Sequence, residues 1–78
     1  MLNDSHCQKA FGQFIREGRE SQHLYQTQVA SAVGVSQQYY SKIETGGRNV
    51  DFVLALRICQ ALNLSLNQFI EVYLKENP

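Results

Sequence analysis

Proline is almost missing from this chain, and the single one is Pro78, so no ring interrupts a helix at any earlier position. β-Branched residues show no alternation of the kind a β-strand needs, which leaves helices as the regular element. No apolar run approaches the roughly 20 residues that cross a bilayer, so no membrane role is expected. Met1-Leu2-Asn3-Asp4 carries neither a basic region nor an apolar core of the secretory kind, and a cytoplasmic location follows as an expectation. Cysteine is sparse: Cys7 and Cys59 stand far apart and read as two free thiols. Cys7 follows His6, but further ligands for a metal are missing, so no metal is expected. Paired carboxylates, a nucleophile with its base and a glycine-rich phosphate loop are missing too. Neither an enzyme nor a cofactor is therefore expected.

Net charge is also lacking, with seven basic and seven acidic residues in balance. A free-standing nucleic-acid binder is commonly basic, so the total argues mildly against that class. The distribution argues the other way. Between Ser21 and Ile43 there is no carboxylate, the only full charge is Lys42, and glutamines and hydroxyls supply the polarity. Acids gather towards the ends, at Asp4, Glu17, Glu20, Glu71 and Glu76, so one face of a neutral protein can still be positive.

The 78 residues have room for one domain, taken as 1–78. Such a short chain buries little more than half of its unfolded surface and is marginal alone. Capping residues and helical spacing divide it into five helices. Ser5-x-x-Gln8 reads as a capping box opening a helix to about Ser21, with Phe11, Phe14, Ile15 and Gly18 on one stripe. A second helix spans about Gln26 to Val33. Gly34 then suits a left-handed turn and Ser36 an N-cap, and a third helix runs from Gln37 to about Thr45. Asp51 caps a fourth helix, Phe52 to Leu62, and a Ser65-x-x-Gln68 box opens a fifth, Leu66 to about Glu76.

Residues 26–45 have helix-turn-helix spacing. Ala30 is small where two helices cross, Gly34 turns the chain, and Val29, Val35, Tyr40 and Ile43 pack beneath. The third helix then presents Gln37, Gln38 and Lys42 outward with Tyr39 beside them, residue types that suit base edges in the major groove. Tyr39 faces either the DNA backbone or solvent. Arg48, after Gly46-Gly47, grips a phosphate or is simply solvated. His23 reads as an exposed loop residue.

The segments Leu24-Tyr25-Gln26, Val29-Ala30, Gly34-Val35-Ser36 and Ile43-Glu44-Thr45-Gly46 resemble the Cro and phage-repressor type of helix-turn-helix, the XRE family. The likeness runs ungapped from about Phe11 to Phe69. It implies an all-α, five-helix, lambda-repressor-like DNA-binding fold. It also implies that Gln26 holds a phosphate, that Gln37, Gln38 and Lys42 face bases, and that Ser36 and Thr45 touch the sugar-phosphate backbone. Arg19 and Glu44 match the family's ion pair. Three positions depart from the pattern: Tyr25 replaces an N-cap Ser or Thr, Tyr40 replaces Ile or Val, and Val50 stands where Pro is frequent.

The last two helices are apolar over arcs of about 220° and 200°, whereas one core needs a stripe little wider than 100°. The surplus points to self-association through 52–62 and 66–76, with Leu54, Ile58, Phe69, Ile70, Tyr73 and Leu74 as interface candidates. The expected function is a transcriptional regulator bound as a homodimer to a pseudo-palindromic operator, of small-repressor or restriction-modification-controller type. The alternative is a DNA-binding antitoxin whose apolar surface meets a partner toxin.

Overall fold

The computed structural model describes residues 4–77 and contains five helices: α1 Ser5–Ser21, α2 Gln26–Val33, α3 Gln37–Glu44, α4 Phe52–Ala61 and α5 Leu66–Glu76. No single helix among the described residues is long and apolar enough to cross a membrane. The expected boundaries hold to within a residue, because each start has its own side-chain chemistry. Ser36 Oγ accepts from the Tyr39 N–H, Asp51 Oδ1 from Leu54, and Ser65 Oγ from Gln68.

The cap of α1 differs from expectation. Asp4, not Ser5, is the N-cap, and its carboxylate accepts from the His6 and Cys7 N–H groups. An anionic cap also meets the positive end of the helix dipole, an advantage over a hydroxyl. Gln8 is then released from the expected box; its buried amide donates to Asn49 in the α3–α4 connection. At α2, Tyr25 gives no side-chain cap, but Gln28 Oε1 accepts from the Tyr25 N–H at 2.8 Å. Half of a capping box thus remains where none was expected.

Four helices end in the same left-handed turn. Its residues are His23 (φ 58°), Gly34 (φ 79°), Gly46 (φ 78°) and Asn63 (φ 59°). In each, the next N–H reaches back five residues: Leu24 to Arg19, Val35 to Ala30, Gly47 to Lys42 and Leu64 to Cys59. Leu24, Val35 and Leu64 then fold inward onto the core. His23, read from sequence as a bystander, is exposed but sets this turn. A Cβ at Gly34 would meet nothing within 4 Å, so Gly34→Ala isolates backbone strain. It is expected to cost about 1–2 kcal/mol and lower Tm by at least ~4 °C; an unchanged melting curve would contradict this.

The core forms where all five helices meet. Phe11, Ile15, Tyr40, Ile43, Ile58 and Leu62 are fully buried, as are both cysteines, which are free thiols. Phe69 lies between Phe14 (5.3 Å), Phe11 (5.4 Å) and Tyr73 (5.9 Å), an aromatic cluster that seals α5 to α1.

This packing corrects two interface candidates. Ile58 is wholly buried within the protomer and Phe69 nearly so, and neither is free to meet a partner. Each points along the arc that faces the protomer's own helices. Leu54, Ile70 and Tyr73 are half-buried and Leu74 is exposed. Phe52, Val53, Leu56 and Val72, which were outside the expected set, also present large exposed apolar surface.

Candidate nucleic-acid interface

The two helices of the motif are set by their contacts beneath. Val29, Ala30 and Val33 of α2 and Tyr40 and Ile43 of α3 are buried, which turns the opposite side of α3 outward. On that side Gln37, Gln38 and Lys42 are exposed, and Tyr39 is partly covered. Tyr40 belongs to the core.

A buried ion pair anchors the end of α3 to α1. Arg19 Nε donates to Glu44 Oε2 at 2.7 Å and Arg19 Nη2 to Oε1 at 3.0 Å, a two-pronged pairing. The side chains are 12% and 2% exposed. Arg19 Nη1 also donates to the Leu24 carbonyl at 2.8 Å, which braces the turn before α2. Burial pushes the Glu44 carboxyl up, but hydrogen bonds from Arg19 and Gln26 outweigh it and hold the pKa below its ordinary value. The hydrogen bond to Glu44, against the cost of burial, raises that of Arg19. Burial first and the neighbouring Glu44 second push the Tyr40 phenol far up. The Tyr40 hydroxyl completes no hydrogen bond of ordinary geometry.

From this pair a chain of amides leads to the surface. Gln26 Nε2 donates to Glu44 Oε1 at 2.9 Å, and Gln26 Oε1 accepts from Gln37 Nε2 at 2.8 Å. Gln37 is thereby oriented while its oxygen and second N–H stay free. Gln26 keeps one side-chain N–H, next to the unpaired N–H groups of the first turn of α2. Gln38 makes no hydrogen bond within the described side chains and is free on both ends.

The hydroxyl candidates differ in what they have left to give. Ser36 Oγ accepts in its cap and keeps its proton for a donor role. Thr45 Oγ1 donates to the Lys42 carbonyl at 3.0 Å, so its proton is already committed. Arg48 stacks its guanidinium 4.2 Å from the centre of the Tyr39 ring. Lys9, not singled out from sequence, lies against the same turn: a Cβ on Gly46 would fall 2.8 Å from Lys9 Cα. Nothing local in the sequence marks that approach, which spans α1 and the α3–α4 connection.

Residues 15–69 match the helix-turn-helix family model. The ImmF control region 10 kDa protein of Bacillus phage phi105 is 39% identical over 59 residues, covering 76% of this chain. The chain spans 66% of that relative's length. The restriction-modification controller protein C.AhdI from Aeromonas hydrophila superposes with a TM-score of 0.74 at 32% identity, over 80% of this chain and 94% of its own. The clp gene regulator ClgR from C. glutamicum gives 0.80 at 25% identity, over 92% and 94%. The antitoxin alternative gains no support from these relatives. With a family match across residues 15–69, an outward α3 and the buried pair beneath it, the chain belongs to the XRE-type helix-turn-helix family of DNA-binding transcription regulators.

Proposed function

We propose that the protein represses or activates a promoter by binding a pseudo-palindromic operator as a homodimer, in the manner of a phage control protein or a restriction-modification controller. The observation that carries this reading is the amide chain from Glu44 through Gln26 to Gln37, beside the unengaged Gln38. A glutamine pairs with adenine by donating to N7 and accepting from N6. Gln37 retains both of those groups after bonding Gln26, and Gln38 has them wholly free. Lys42 reaches guanine or a phosphate, Ser36 donates to the backbone, and Gln26 uses its spare N–H on a phosphate. Thr45 touches the backbone by packing or by turning its hydroxyl outward.

Dimerisation follows from the exposed apolar residues of α4 and α5. Leu54, Ile70, Tyr73 and Leu74, joined by some of Phe52, Val53, Leu56 and Val72, form the surface that a second copy would cover. A twofold partner sets the recognition helices about 34 Å apart, one turn of DNA. Catalysis has no part in this reading, and the protein acts in the cytoplasm by occupying DNA.

Gel-shift titrations of Gln37→Ala, Gln38→Ala and Lys42→Ala on matched and scrambled operators test the assignment. At least one glutamine variant is expected to lose about 1–3 kcal/mol on the matched site and relax preference at one A·T pair. If both glutamine variants keep the affinity and preference of the parent, α3 does not read bases through this face.

A further inference from the structure

We propose that Lys9, contributed by α1, completes a DNA-phosphate clamp with Lys42 and Arg48 at the C-terminal end of the recognition helix. The proposal rests on the DNA-binding reading above and adds a residue from outside the helix-turn-helix. Two contacts fix the start of α1 against the α3–α4 turn. The buried Gln8 amide donates to Asn49, and Gly46 lies so close to Lys9 that an added Cβ would sit 2.6 Å from Lys9 Cγ and 2.8 Å from Cα. The Lys9 stem therefore lies along the turn, and the residue as a whole is exposed. Arg48 stands one residue before Asn49, held over the Tyr39 ring, and Lys42 is in the last turn of α3.

The three cations are also free. Among the described residues none has a carboxylate within 4.0 Å, whereas Arg16 pairs with Glu20 and Arg19 with Glu44. The acids nearest in sequence are engaged elsewhere: Asp4 caps α1, Asp51 caps α4 and Glu44 holds Arg19. A protein with no net charge thus gathers three unpaired cations around one turn. Spread over a loop and two helices, they fit a run of backbone phosphates better than a single base edge. They lie at the opposite end of α3 from Gln37, so the clamp and the amide chain bracket the recognition helix.

Each phosphate neutralised contributes about −0.9 to the slope of log affinity against log salt. Salt titrations of the full chain on matched and scrambled duplexes, with Lys9→Gln, Lys9→Arg and Lys75→Gln, test the proposal. Lys9→Gln is expected to reduce the slope by about 0.9 per bound protomer and weaken both duplexes by the same factor. Its loss at 50 mM salt should exceed that at 200 mM by roughly threefold per protomer. Lys9→Arg should restore the parent slope, and Lys75→Gln, the same charge change on α5, should leave it intact. A parent slope retained by Lys9→Gln overturns the clamp while leaving the DNA-binding reading in place. An equal fall for Lys75→Gln also overturns it, since net charge alone would then account for the effect. A parent chain that binds neither duplex overturns both.

Discussion

Glu44→Ala is expected to destabilise the fold by about 3–5 kcal/mol, because it leaves the Arg19 guanidinium mostly buried without its counter-charge. It also strands the Gln26 amide, whose Nε2 donates to the lost carboxylate. Denaturant unfolding of parent and variant measures the loss, and a difference under 1 kcal/mol would show that the pair is not structural. Acid should reproduce part of the effect. The folded carboxyl titrates below its ordinary value, so its stabilisation is complete above the unfolded pKa, about 4.3, and is lost as pH falls through the lower folded one. The stability gap between the parent and Glu44→Gln should therefore narrow steadily below about pH 4.3. A gap that stays constant down to full protonation would contradict the assignment.

Gly12→Ala should also be severe, for a different reason. A Cβ there would lie 2.4 Å from the Glu44 carbonyl oxygen and 2.5 Å from that of Ile43. These are backbone atoms, with no flexible side chain to give way, so α1 and α3 must separate. Alanine gains about 1 kcal/mol of helix propensity over glycine, but overpacking of this kind costs more. A net loss of at least ~2 kcal/mol is expected. Because the displaced atoms end the recognition helix, DNA affinity should fall as well, even in variants that remain folded. Gly18→Ala provides the contrast. The three atoms nearest its Cβ would all belong to the Leu64 side chain, which can rotate, so that variant should stay within about 1 kcal/mol of the parent. Equal effects at the two glycines, in thermal melts and gel shifts, would mean that the close crossing of α1 over α3 is not what demands Gly12.

Helix boundaries were legible because Ser36, Asp51, Ser65 and Gly34 each perform a local task that their neighbours cannot. The capping residue of α1 was not, since Asp4 and Ser5 are adjacent and both suit a cap. Local pattern cannot show that Gln8 is required by Asn49, which is 41 residues away. The Arg19–Glu44 pair came from family resemblance, and its link through Gln26 to Gln37 emerged only in three dimensions. The broad apolar arcs of α4 and α5 correctly signalled surplus surface, but an arc of about 220° does not say which part turns inward. Packing decides that: Ile58 and Phe69 meet the protomer's own helices, while Phe52, Val53 and Leu56 are left outside. Lys9 carried no signal at all, because its importance depends on a backbone approach between distant segments.

Selection of binding sites from randomised duplex DNA with the full chain tests the central claim most directly. The account predicts enrichment of two inverted half-sites centred about 10 base pairs apart, each with an A·T pair whose selection disappears in Gln37→Ala or Gln38→Ala. Recovery of unrelated sequences, or of a motif that both glutamine variants select unchanged, would contradict it.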